Sequence, residues 1–114
     1  VSSPTGSTAY SLSAGGPVLA PDVDALVIIP ICAHSLHSRP LVVNAKSKIE
    51  LRLAKDEKAI VCADGENVAN IEGEKSVFVE KSARNVKFLA TKDNNFFKKL
   101  LQKMNRWGLV DPRG

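Results

Sequence analysis

The sequence predicts a mainly β domain: an antiparallel, β-sandwich-like architecture with one short helix near the start and an amphipathic helix at the end. Three observations carry this reading. Short β-rich runs recur between residues 25 and 90, turn-forming residues separate them, and the apolar period changes from two to 3.6 near the end of the chain. With 114 residues and 44% apolar content, a single domain around one hydrophobic core is expected.

Taken in order, residues 3–16 are small and hydroxylated. Pro4 and Thr5 supply helix-start chemistry, Ala9, Leu12 and Ala14 are helix-compatible apolar positions, and Gly15-Gly16-Pro17 is a stop, so a short helix is expected over about residues 6–14. Asp22 and Asp24, after Pro21, read as turn residues. Residues 25–32, Ala-Leu-Val-Ile-Ile-Pro-Ile-Cys, form the first strand, and Pro30 confines it to an edge or a bulge because it has no N–H to donate.

Further strands are expected over residues 40–44, 48–53, 59–63, 76–81 and 85–90, with turns at Asp56-Glu57, Asp64-Gly65 and Glu72-Gly73-Glu74. Ile49, Leu51 and Leu53 alternate with Glu50 and Arg52, and Val77 and Val79 with Phe78 and Glu80, the pattern of half-buried antiparallel strands. In the tail, Phe96, Phe97, Leu100, Leu101 and Met104 share one helical face, and Lys98, Lys99, Gln102 and Lys103 share the other. Asp93-Asn94-Asn95 supplies the N-cap, and Trp107 anchors the last turn. Docking of this helix on the sheet is favoured over a membrane surface, because its charge run is short and a sheet needs a cover.

A net charge of +4 and a pI near 9.2 raise the question of nucleic acid. The basic residues are scattered from Arg39 to Arg113 among twelve acids, only five aromatics stand besides Trp107, and no RNA-binding aromatic motif is present. A nucleic-acid partner is therefore not expected. No apolar run approaches the ~20 residues of a membrane-crossing helix and the sequence shows no charged-then-apolar leader to suggest secretion, so a cytoplasmic protein without a membrane partner is expected. Cys32 and Cys62 belong to no CxxC or Cys/His cluster and have apolar neighbours, which predicts buried free thiols in a reducing compartment. No spacing of His, Cys, Asp or Glu suggests a metal cage built by the chain itself. The chain opens on Val1 rather than Met, in what reads as a strand end entering a turn, so a piece of a longer protein is expected.

The stretch that carries chemistry is Pro4-Thr5-Gly6-Ser7-Thr8-Ala9-Tyr10-Ser11-Leu12-Ser13-Ala14-Gly15-Gly16-Pro17. A Gly/Ser/Thr-rich turn opening a helix presents backbone N–H groups, hydroxyls and the positive end of the helix dipole, which suits a sugar or phosphate. It is neither a Walker A loop, since no Lys follows the second Gly, nor a GxGxxG fingerprint. A capped helix whose hydroxyls merely satisfy the backbone accounts for the same residues.

These fourteen consecutive residues closely resemble the signature of the NAD kinase family. The resemblance continues through Ile29-Pro30-Ile31, Ala33-His34-Ser35-Leu36 and Ser38-Arg39-Pro40-Leu41-Val42-Val43, and through Asp64-Gly65 to the late Phe96-Phe97 helix. It implies a two-domain enzyme in which ATP and a divalent metal, Mg2+, phosphorylate the 2′-hydroxyl of the adenosine ribose of NAD to give NADP. The family's N-terminal α/β domain supplies a Gly-Gly-Asp-Gly loop, whose Asp is the proposed base, and an Asn-Glu/Asp pair. Neither motif occurs here, so no catalytic residue is expected in this chain, and alone it is expected to be inactive.

The resemblance assigns NAD binding to Thr8, Ala9, Tyr10, Ser11, Leu12 and Ser13, with Tyr10 packing on a ring or else serving as a core aromatic. Glu66 stands where the family commonly has an NAD-contacting Gln, and a carboxylate cannot donate as an amide does. His34 falls in the matching segment and is read as structural, its ring fixing the loop before Arg39-Pro40. The family also implies a homo-oligomer, dimer or tetramer, in which neighbouring subunits complete the site. Related lipid kinases share the two-domain plan, but the continuation from Tyr10 to Pro17 and the Arg39-Pro40-Leu41-Val42 segment favour the NAD enzyme. A non-catalytic nucleotide-binding β module is the remaining alternative.

Overall fold

The computed structural model describes residues 1–90 and 95–106. Among them are a 3-10 turn at Thr5–Thr8, helix α1 (Tyr10–Ser13), strands β1 (Ala25–Ile28), β2 (Leu41–Asn44), β3 (Ile49–Arg52), β4 (Lys58–Ala63), β5 (Glu66–Glu72) and β6 (Ser76–Val79), and helix α2 (Phe96–Arg106). The fold is mainly antiparallel β, as expected, and divides into three two-stranded ladders: β1 with β2, β3 with β6, and β4 with β5.

β1 stops at Ile28, short of the apolar run that suggested it, because Pro30 cannot extend the ladder and Cys32 takes a left-handed conformation at φ 52°. The other edge of β1 is used too: Ser2 and Val27 exchange backbone hydrogen bonds of 2.8 and 2.9 Å, so the residues entering the signature turn are held on the sheet. Val27 is completely buried, and Leu26, Ala45 and Ile49 form the core cluster with Ile28, Val43 and Val79 packed on it. Burying one such side chain contributes about 1.5–3 kcal/mol, so the junction of β1, β2 and β3 is the firmest part of the molecule. Asp22 sits in the turn as expected, whereas Asp24 lies just past it at the entry of β1, where a 2.5 Å ion pair with Lys81 joins that entry to the exit of β6.

The β4–β5 hairpin turns through Asp64 at φ 51° and Gly65 at φ 87°, two left-handed residues between the paired Ala63 and Glu66. This is the two-residue turn whose twist suits a hairpin and which Asp-Gly favours. β5 itself is a strand that sequence reading passes over, because Glu-Asn-Val-Ala-Asn-Ile-Glu is polar and poor in β-branched residues. Its existence rests on backbone pairing with β4, interrupted by a register shift between Val61 and Cys62. The converse error falls on residues 85–90. They are not a strand, no described strand pairs with them, and Val86, Phe88 and Leu89 are exposed.

Both cysteines are exposed and unbridged, not buried: Cys32 follows the Pro30 break, and Cys62 sits at the register shift. Two-stranded ladders cover their faces incompletely, which is why Leu51 is exposed despite correct alternation, while Phe78, paired with Glu50 on the other face, is exposed as its alternation predicts. The Lys48 ammonium covers the Phe78 ring at 4.8 Å.

α2 is capped by Asn95, whose Oδ1 accepts the Lys98 N–H at 3.1 Å. Asp93, Asn94 and Trp107 lie outside the described residues. α2 buries none of its residues, and the groove along it is closed by Thr8 and Pro21 rather than by a strand, so it is not the sheet cover that its amphipathic pattern suggested. No helix among the described residues is long and apolar enough to cross a membrane.

Candidate nucleotide site

The signature segment folds as two short turns instead of one helix. The 3-10 turn ends at Ala9, whose φ −100° and ψ −127° break the helical path before α1 begins. With only four residues in each piece there is little macrodipole, so side chains and loop geometry must carry any recognition here.

Ser7 fixes the first turn. It is fully buried, its hydroxyl donates to the Pro4 carbonyl at 2.6 Å, and its Oγ accepts the Leu19 N–H at 3.0 Å. One hydroxyl thus ties the turn to the segment that follows the glycine pair. The second turn is closed by a paired C-cap: Gly15 N–H bonds the Leu12 carbonyl at 3.0 Å and Gly16 N–H bonds the Ser11 carbonyl at 2.9 Å. Gly15 takes φ 83°, as the Schellman arrangement requires. Gly16 is needed for space, since a Cβ there would collide with Ile29 Cδ1 and lie 2.8 Å from the Ser11 carbonyl.

Three segments distant in sequence then enclose a cavity of about 680 Å3. It is lined by Ala9, Tyr10 and Ser11 of the signature segment, by Ile29 and Ile31 beyond β1, and by Cys62, Asp64 and Gly65 at the β4–β5 turn. The volume falls within the range of small-molecule sites. Tyr10 is 72% exposed, which rules out a core role and leaves its ring and hydroxyl available at the cavity wall. Asp64 offers an acceptor for hydroxyl groups, and the isoleucines offer apolar surface. Ser2 and Ser11, which also line the cavity, have buried hydroxyls with no hydrogen-bond partner among the described residues. Among the described residues no Lys or Arg belongs to the wall. An aromatic ring, apolar surface, hydroxyls and one carboxylate suit the base and ribose of a nucleoside better than its phosphates.

Of the residues singled out in sequence, Ala9, Tyr10 and Ser11 meet in this cavity. Thr8 lies on the other side of the turn, its hydroxyl donating to the Thr5 carbonyl at 3.3 Å, and lines a separate groove beside α2. Leu12 and Ser13 are not among the lining residues, and neither is Glu66, the exposed first residue of β5, although its neighbours Asp64 and Gly65 are. Ile29, Ile31, Cys62 and Asp64 are wall residues that sequence reading did not select. The Asp64-Gly65 turn was legible, but its apposition to Tyr10 was not. His34 is exposed and its ring makes no hydrogen bond among the described residues. The loop it was expected to fix is held by Arg39, whose guanidinium donates to the Leu36 and Ser38 carbonyls at 3.4 and 3.2 Å, and by Ser35, whose Oγ accepts the His37 N–H at 3.3 Å. Among the described residues no three of His, Cys, Asp and Glu converge, so a divalent ion has no cage here.

Comparison with known proteins gives this geometry a context. The chain is 39% identical over 112 residues to the NAD kinase of Francisella tularensis subsp. tularensis, covering 96% of this chain and 38% of that protein. It is 44% identical over 108 residues to the NAD kinase of Sulfurimonas denitrificans, covering 95% and 37% respectively. Among solved structures, yeast NADH kinase complexed with NADH superposes with a TM-score of 0.80 at 29% identity, over 95% of this chain and 32% of that one. The chain thus spans well under half the length of these relatives. The model of the ATP-NAD kinase C-terminal domain matches residues 1–91, and with the fold and the relatives in agreement the chain belongs to that family.

Proposed function

We propose that this chain is the acceptor-binding part of an NAD kinase, in which the cavity between Tyr10 and the Asp64-Gly65 turn holds NAD while its adenosine ribose 2′-hydroxyl is phosphorylated to give NADP. The observation that carries the reading is that the signature turn and the Asp-Gly hairpin, far apart in sequence, both line one nucleoside-sized cavity. The relatives are named NAD kinases, and the similar yeast structure is complexed with NADH.

The chain's own work is positioning. Tyr10 stacks on a base or nicotinamide ring, Ser11 and Asp64 hydrogen-bond ribose or amide groups, and Thr8, Leu12, Ser13 and Glu66 contribute from the surrounding turns. Phosphoryl transfer needs little covalent assistance and much alignment, so holding the acceptor is a full share of catalysis. The base, and the residues that hold ATP with Mg2+, belong to sequence outside these 114 residues. The complete enzyme is cytoplasmic and a homo-oligomer, for which the exposed Ile60 and Val68 of the β4–β5 hairpin offer apolar contact area.

The test is NADP formation from ATP, Mg2+ and NAD by the whole kinase carrying this chain, compared with its Tyr10→Ala variant. The expected result is at least a tenfold loss expressed mainly in KM for NAD, equivalent to about 1.4 kcal/mol. Activity indifferent to Tyr10 would remove the cavity from the reaction. NADP formation by the 114-residue chain alone would refute the division of labour.

A further inference from the structure

Cys62 brings a thiol to the lining of the Tyr10 cavity, a chemistry that holding a nucleotide does not call for. Its side chain is free and exposed. It stands at the register shift of the β4–β5 ladder, two residues before Asp64 at the left-handed turn. Cys62 also borders a smaller apolar groove of about 290 Å3, with Leu51, Ile71 and Val77. Cys32 provides the contrast: it is equally free and exposed, but it is not among the residues that line the cavity.

A second observation marks the cavity as a place for a ligand. Ser11, another lining residue, is only 7% exposed, and its Oγ has no hydrogen-bond partner among the described residues. A buried hydroxyl without a partner is costly, and a polar molecule in the cavity would relieve it. The Cys62 thiol therefore belongs to a site that takes a ligand, and an incoming molecule meets it there.

We infer that Cys62 is a modification site for a low-molecular-weight disulfide, and that the adduct excludes the nucleotide. The Cys62 thiol loses its proton to water, and Sγ attacks one sulfur of the disulfide. A bond forms between Sγ and that sulfur, the disulfide's own S–S bond breaks, and the departing thiolate takes up a proton. Cys62 is oxidised and the incoming disulfide is reduced, so the exchange needs no other oxidant, and excess thiol reverses it. A cavity of about 680 Å3 is of the size that holds one small-molecule ligand, so adduct and nucleotide compete for the same volume. Asp64 adds a carboxylate to the same lining, which favours a disulfide carrying ammonium groups over one carrying carboxylates. The exclusion of nucleotide rests on the cavity reading above.

The experiment treats the whole kinase carrying this chain with cystamine or oxidised glutathione at pH 8. Peptide mass spectrometry locates the adducts, and calorimetry measures NAD affinity. NAD is expected to slow modification of Cys62 at least fivefold and that of Cys32 less than twofold. The Cys62 adduct should weaken NAD binding at least tenfold, dithiothreitol should restore it, and treated Cys62→Ser should stay within twofold of the same variant untreated. With Cys32 as internal reference, cystamine should favour Cys62 at least threefold over oxidised glutathione, and no such preference would overturn the assignment to ammonium-bearing disulfides. The proposal as a whole would be overturned by no adduct at Cys62 where Cys32 reacts, by equal protection of both cysteines, or by an equal loss in Cys62→Ser. An adduct at Cys62 that leaves NAD affinity unchanged would also overturn it. Tyr10→Ala, measured alongside, separates the two readings. NAD affinity indifferent to Tyr10 would bring down the cavity reading, whereas affinity that responds to Tyr10 but not to a Cys62 adduct would bring down this inference alone.

Discussion

Gly16→Ala is the most direct probe of how the signature segment is built. An added Cβ at residue 16 would lie 2.8 Å from both the Ser11 carbonyl oxygen and Ser11 Oγ, and would collide with Ile29 Cδ1. The Ile29 terminus and the Ser11 hydroxyl are able to rotate away. The Ser11 carbonyl is not, because it is backbone and accepts the Gly16 N–H at 2.9 Å, so retreat lengthens the hydrogen bond that closes α1. Overpacking of this kind costs about 1–3 kcal/mol, and the weakened bond about 1 kcal/mol more. The restricted unfolded chain of the alanine variant returns about 0.4–1 kcal/mol, leaving a net destabilisation of about 2 kcal/mol.

Urea unfolding followed by circular dichroism would register this as a fall in midpoint of roughly 1 M, for a slope near 2 kcal/mol/M. Gly15→Ala is the matched control. Nothing lies within 4 Å of a Cβ there, and its cost comes only from the left-handed conformation at φ 83°, about 1 kcal/mol. Space, not conformation, is the claim at Gly16. A Gly16→Ala variant as stable as the parent, or a Gly15→Ala variant less stable than Gly16→Ala, would refute it.

Two further variants test the surroundings of the site. Ser7→Ala leaves the Leu19 N–H without its acceptor in a part-buried setting and is expected to cost about 1–3 kcal/mol in thermal unfolding, since Pro4 still accepts the Ser7 N–H at 3.1 Å but nothing replaces the bond to Leu19. A change under about 0.5 kcal/mol, the scale of an ordinary surface substitution, would show that the tie is dispensable. On the β3–β6 ladder, the Ser76 hydroxyl and then the Arg52 guanidinium hold the Glu50 carboxyl below the usual carboxylate range. Because the folded value lies below the unfolded one, this contribution is present above the ordinary carboxylate pKa and is lost as pH falls through the folded value. Stability measured against pH should therefore decline less on acidification in Glu50→Gln than in the parent, and identical curves would remove Glu50 from the acid response.

Where a feature depends on a few adjacent residues, the sequence by itself determines it. The Gly15-Gly16-Pro17 stop, the Asp64-Gly65 hairpin turn and the Asn95 cap each follow from what one or two residues permit the local backbone to do, and the fourteen-residue signature marks the family and one wall of the site. Tertiary structure decided whatever depends on a partner distant in sequence. β5 is a strand because β4 is there to pair with it, while residues 85–90, more β-like in composition, find no described strand and remain unpaired. Cys62, at the register shift, lines the same cavity as Tyr10, and Glu66 lies outside the wall to which its neighbours Asp64 and Gly65 belong. Likewise the amphipathic pattern of α2 foretold a helix with two faces but not its neighbour, which proved to be the Thr8–Pro21 side of the signature turn. A hydrophobic period records which side of an element avoids water, and the packing of the whole chain determines what that side meets.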